Sequence, residues 1–192
     1  MNDFVSITIY FLVASLSVFS ANRARIIFRY LKPIPILFLI VFLLFISGIV
    51  YPGNLSILIL GLSFSAIGDI LLLNKESIRF KLGLLSFAVA HLFYILFFFM
   101  PPEPNFNLIF VGMLYTTFAI VIYSLLKGYV DAIRNYILLY VVLITTMGII
   151  TFNYSLLSCN NLLLSPAVGG ILFIISDSLL AWNKFRKPIN KG

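Results

Sequence analysis

The sequence predicts an all-α, polytopic transmembrane helix bundle of about seven helices, with its N-terminus out and its C-terminus in. Three observations carry this. Of 192 residues, 62% are hydrophobic and only 10% are charged, with a mean hydropathy of +1.13; a water-soluble domain carries about 25% charge. The apolar residues form long continuous runs that do not alternate, which argues helix over strand. All 13 Lys and Arg lie between runs or after the last one. A soluble enzyme, a disordered tail and a secreted disulfide scaffold are excluded, and residues 1–192 read as a single integral membrane domain. The net charge of +7 does not indicate nucleic acid, because binding it needs a basic face on a folded surface.

The runs cover residues 3–21, 33–51, 54–73, 82–100, 107–126, 135–152 and 162–182. The first contains Ser15, Ser17 and Ser20 and is the least hydrophobic. No positive charge precedes it and no small-residue cleavage site ends it, so it reads as a span and not as a cleavable signal. Arg23, Arg25, Arg29 and Lys32 follow it, and the Tyr51–Asn54 connection after the second run has no cation. Lys75, Arg79 and Lys81 follow the third run, whereas Pro101–Pro104 has no Lys or Arg. Lys127 and Arg134 follow the fifth, Asn153 to Asn161 has none, and Lys184, Arg186, Lys187 and Lys191 form the tail. Basic and non-basic connections alternate, and the positive-inside rule then sets the orientation. All eight prolines fall in connections, near span ends or in the tail. Pro166 is the deepest, so no proline marks a helix broken at mid-membrane.

Six acids exist. Asp3, Glu76, Glu103 and Asp131 sit at ends or in loops. Asp69 and Asp177 lie within the third and seventh runs, where a carboxylate costs several kcal/mol unless it meets a partner or water. Both are roughly 6–8 Å from the cytoplasmic edge at 1.5 Å per residue. Two such groups on parallel helices could face each other across a cavity; a structural role as interhelical glue is the competing reading. The segments around them are alike: residues 64–75 and 173–184 each carry a small residue, the acid, leucines and then Asn-Lys, with a spacing that differs by one.

His91 and Tyr94 are three apart and share a helix face with Gly83 and Phe87. The short connection before the fourth run makes a hairpin that brings His91 toward the Asp69 face. Tyr140 and Met147, one heptad apart, read as core. His91 and Cys159 are each the only residue of their kind, so no disulfide and no metal cluster is expected. Gly61–Ser65 lacks the second glycine of a nucleophile elbow. Ser124 and Lys127 match only a short SxxK string at a span end.

Four blocks remain: Gly68-Asp69 within 61–72; Gly83 with Ala90-His91-x-x-Tyr94 within 82–94; Tyr140 through Met147; and Gly169-Gly170 followed by Ser176-Asp177-Ser178-x-Leu180-Ala181. In that order, over about Lys32 to Phe185, the chain resembles the YhhN-like lysoplasmalogenase family. The resemblance implies an integral membrane enzyme that hydrolyses the vinyl ether bond of lysoplasmalogens. The products would be a fatty aldehyde and glycerophosphoethanolamine or glycerophosphocholine. It also implies that Asp69 and Asp177 are the catalytic acids, and that His91, Tyr94, Asn74, Tyr140 and Asn183 are polar residues around the site. Members usually have eight spans, the last with an Ala-Gln pair near the site. Seven runs precede Gly192 here, which implies a truncated member, a pseudo-enzyme or a site closed by homodimerisation.

Two buried acids suit that chemistry. Protonating a vinyl ether carbon needs a carboxylic acid still protonated near neutral pH, and burial beside a like charge favours that form. The second, ionised, would stabilise the oxocarbenium ion and activate water, as paired carboxylates do in glycosidases. Which aspartate does which stays open at this stage. No cofactor or metal is expected. The lipid tail would lie among phenylalanines, and the phosphate could meet Lys75 or Lys184 at the cytoplasmic edge. The expected partners are a lipid substrate and the membrane, the inner membrane in a bacterium. Two other readings stand beside the hydrolase: a proton-coupled transporter of lipids or small amphiphiles, and a non-catalytic protein whose acids are packing glue.

Overall fold

A computed structural model describes residues 33–47, 55–73, 76–99, 106–129, 133–157 and 165–185. Among the described residues there are six α-helices and no strand: α1 (Ile34–Ser47), α2 (Leu55–Leu72), α3 (Ser77–Phe98), α4 (Phe106–Leu126), α5 (Arg134–Leu157) and α6 (Ser165–Phe185). The fold is all-helical, and six of the seven expected runs each find a helix. The run at 3–21 lies outside the described residues, as do Asn74, Lys75 and most of the connections. The four helices α2 to α5 are long and apolar enough to cross a membrane, and α1 and α6 contain shorter apolar stretches, Ile34–Phe45 and Pro166–Trp182. The chain is a multi-pass integral membrane protein.

Several helices extend past their apolar runs. α3 begins at Ser77, five residues before the run at 82, because its backbone can close there: the Phe80 amide donates to the Glu76 carbonyl at 3.0 Å. Arg79 donates to Glu76 at 3.0 Å on the same exposed turn. α5 continues to Leu157, through Asn153 and Ser155, which the sequence reading places in a connection. Both side chains are buried, and Ser155 donates to the Thr151 carbonyl at 2.9 Å, satisfied within its own helix. Thr145 and Thr146 likewise donate to the carbonyls four residues back, at 2.7 and 2.9 Å. A helix satisfies its backbone whatever the hydropathy of its side chains, so it outruns the apolar stretch. Pro166 falls in the first turn of α6, where a missing N–H removes no helical bond.

The chain divides into two compact units, Met1–Phe93 and Tyr94–Gly192, with the boundary inside α3. In the first, α1 lies against α2, and α2 packs against α3 through small residues. A Cβ added at Gly83 would stand 3.0 Å from Leu72, and one at Gly68 would stand 2.7 Å from the Phe87 ring. Ser86 donates across the helix pair to the Phe64 carbonyl at 2.7 Å. The Phe64 and Phe93 rings stack with centroids 5.7 Å apart. Close backbone approach at glycine and serine is how membrane helices gain contact where lipid offers no hydrophobic drive.

In the second unit α5 packs against both α4 and α6. The buried face of α5 is Ile137, Tyr140, Ile144, Met147, Gly148, Thr151 and Ser155, a three-four spacing that forms one stripe along the helix. From Asn107 to Leu125 no residue of α4 is buried. Its contact with α5 includes Tyr115, whose ring lies against Gly148, and Tyr123, whose hydroxyl accepts from Arg134 Nε at 3.1 Å.

Candidate functional site

The α5–α6 seam carries the best-defined polar contact between expected site residues. On α6, Ala167, Gly170 and Ile174 face α5 in turn. The Ala167 amide donates to Ser155 Oγ at 3.2 Å. A Cβ at Gly170 would stand 2.6 Å from Thr151 Oγ1, and one at Gly148 would stand 2.8 Å from Ile174 Cδ1. Residue numbers rise on one helix as they fall on the other, so the pair is antiparallel. The next residue along this face of α6 is Asp177, one turn beyond Ile174. The Tyr140 hydroxyl donates to its Oδ2. Asp177 is thus turned to the packed face of its helix, not to the lipid. The neighbouring Ser178 hydroxyl is turned back to the Ile174 carbonyl at 2.7 Å.

Tyr140 is buried and stands two turns from buried Met147 on one face. It is a core residue, as its spacing predicts, and its hydroxyl also serves the acid. Lys184 is exposed in the last turn of α6, and Asn183 lies in that turn. Asp177 is eight residues before the end of α6 at Phe185, whereas Asp69 is three residues before the end of α2 at Leu72. After Leu72 the chain tightens, with the Leu73 amide donating to Ile70 at 3.3 Å. In the two segments that look alike in sequence the acid therefore stands at different distances from the end of its helix.

Asp69 belongs to the first unit. It follows Gly68, which is buried against Phe87, and is itself half-buried. On α3, Gly83, Phe87, His91 and Tyr94 are all buried and lie on one face, as expected. His91 is 0% exposed. The α2–α3 contacts are antiparallel, pairing Phe64 with Ser86, Gly68 with Phe87, and Leu72 with Gly83. In that register His91 lies between Phe87, which packs on Gly68, and Phe93, which stacks on Phe64.

Sequence reasoning passed over the polar residues of the seam, Thr151, Asn153 and Ser155, and also Tyr115. The Tyr115 hydroxyl is enclosed and makes no hydrogen bond among the described residues. The glycine and small-residue spacing at 148, 167 and 170 was the available sign of a close helix contact there. Among the described residues no three His, Cys, Asp or Glu side chains converge as a metal site would require.

The YhhN family profile matches residues 27–191. Human lysoplasmalogenase TMEM86A is 33% identical over 133 residues, which is 67% of this chain and 54% of that protein. Lysoplasmalogenase TMEM86B of Sus scrofa is 29% identical over 160 residues, 82% of this chain and 63% of that protein. The chain spans less than two thirds of the length of either relative. No solved structure matches it.

Proposed function

The chain belongs to the YhhN family, and on that premise we propose that it is a lysoplasmalogenase-type ether hydrolase acting as a single membrane domain, residues 1–192. The reaction is hydrolysis of the vinyl ether bond of a lysoplasmalogen, giving a fatty aldehyde and glycerophosphoethanolamine or glycerophosphocholine. Two relatives carry the name lysoplasmalogenase. The observation in this chain that carries the reading is the contact between Tyr140 and Asp177. An aspartate within an apolar helix is expensive, and this one is held at a buried helix face by a dedicated donor, as a working carboxyl would be.

In this reading Asp69 and Asp177 are the catalytic groups. One protonates the alkenyl carbon and the other activates water, the division of labour that paired carboxylates make in glycosidases. His91, Tyr94 and Tyr140 supply polar contacts from buried helix faces, with Asn74 and Asn183 near the basic edge. Lys75 or Lys184 would meet the substrate phosphate there. No cofactor is called for, and a homodimer would be a means of closing the site. The orientation with N-terminus out and C-terminus in puts that edge at the cytoplasmic leaflet.

The test uses the full chain in detergent with defined lysoplasmalogen. Wild type should release aldehyde, and Asp69→Asn and Asp177→Asn should each lower kcat by about 10²-fold or more, the usual worth of a positioned acid or base. Full activity in either variant sinks the reading. Transport that needs sealed vesicles and a proton gradient, with no substrate consumed, would favour the transporter instead.

A further inference from the structure

We infer that Ser176 is a specificity-determining residue whose hydroxyl binds the free sn-2 hydroxyl of the substrate glycerol; this rests on the lysoplasmalogenase-type reading. That hydroxyl is the group a lyso lipid has and its acylated parent lacks. The residues that build the subsite lie on α6 and on the face of α5 packed against it.

Asp177 is anchored on the side of α6 that meets α5, with Tyr140 as its donor, and it is half-buried. A linkage that reaches this acid comes along one of the two flanks of the helix. Successive helical residues stand about 100° apart, so Ser176 and Ser178 mark those flanks, one on each side of Asp177. The two serines differ. Ser178 is half-buried, and its hydroxyl donates back to the Ile174 carbonyl at 2.7 Å. Ser63, Thr145 and Ser155 are tied down in the same way, each to the carbonyl four residues back, which shelters a hydroxyl in an apolar helix. Ser176 is exposed, and among the described residues it makes no such bond. Of the two flanks beside the acid, only that of Ser176 presents a hydroxyl outward.

A hydroxyl turned outward from an apolar helix is stabilised by a polar group that comes to it from outside that helix. The substrate brings one. In a lysoplasmalogen the vinyl ether oxygen and the free hydroxyl sit on adjacent glycerol carbons. With the ether at Asp177, the sn-2 hydroxyl arrives beside the residue next to Asp177 on the open flank, which is Ser176. A serine and an alcohol can each donate to and accept from the other. An ester at that position has no proton to give, and it carries an acyl chain into the same place.

A cycle between enzyme and substrate tests the assignment, with the full chain in detergent. One substrate is a defined lysoplasmalogen, and the other is its 2-deoxy analogue, in which hydrogen replaces the sn-2 hydroxyl. Wild type should favour the hydroxyl compound in kcat/KM by about 3- to 10-fold, the worth of one neutral hydrogen bond. Ser176→Ala should bring the two substrates to equal kcat/KM, because the enzyme then has nothing with which to read the difference. Ser178→Ala should keep the wild-type preference. Each ratio is taken within one preparation, so any loss of folded protein cancels. Equal kcat/KM for the two substrates in wild type, a preference that survives in Ser176→Ala, or one that vanishes in Ser178→Ala overturns the assignment to Ser176. Absence of aldehyde from wild type overturns the hydrolase reading itself.

Discussion

The ring of Phe87 on α3 occupies the space where a side chain on Gly68 of α2 would stand, 2.7 Å from the Cβ position. Gly68→Ala should therefore force this buried ring aside and destabilise the protein by about 1–3 kcal/mol, the range for overpacking. Phe87→Leu in the same chain should recover part of the loss, because it removes the ring atoms that clash. Thermal unfolding of the four proteins of that cycle in detergent measures it. Additive losses would show that the contact is not what limits residue 68.

Ser155 caps a helix that is not its own. Its Oγ accepts from the Ala167 amide at 3.2 Å, one of the four N–H groups at the start of α6 that no helical carbonyl reaches. Ser155→Ala should cost about 1 kcal/mol, as the loss of an N-cap does. Hydrogen exchange at Ala167 should rise in the variant before exchange elsewhere in α6. A uniform rise along α6 would argue against a local cap.

Tyr115 gives the opposite sign. Its hydroxyl is enclosed without a hydrogen bond among the described residues, while its ring packs on Gly148. Tyr115→Phe keeps the ring and removes the costly group, so it should be neutral or stabilise by up to about 1 kcal/mol. A clear fall in Tm would mean that the hydroxyl has a partner in the membrane-embedded protein.

The orientation can be read by labelling. In a Cys159→Ser background, single cysteines at Glu76 and Gly128 should react with an impermeant maleimide only from the cytoplasmic face. One at Asn107 should react only from outside. Both expectations follow from the positive-inside rule applied to the connections that carry Arg79, Lys81, Lys127 and Arg134. Labelling of positions 76 and 107 from the same face would refute this topology.

How far the sequence is legible differs from residue to residue. The helices were legible because each must bury or expose a continuous apolar surface, and long runs admit little else. Their ends were not. The run ending at 152 becomes a helix ending at Leu157, since Asn153 and Ser155 are tolerated once neighbouring helices bury them. The face shared by Gly83, Phe87, His91 and Tyr94 was legible from spacing alone. The use of Tyr140 was only half legible: its heptad relation to Met147 indicates core, but the direction of its hydroxyl depends on the register with α6. That register comes from close contacts at Gly148 and Gly170, which hydropathy does not report.

The bond from Ser86 to the Phe64 carbonyl has an acceptor in the main chain, which any amino acid at position 64 would present equally well. That bond thus asks nothing of the side chain at 64, which is tied instead by its ring to Phe93, while position 68 must stay bare to leave room for an aromatic neighbour.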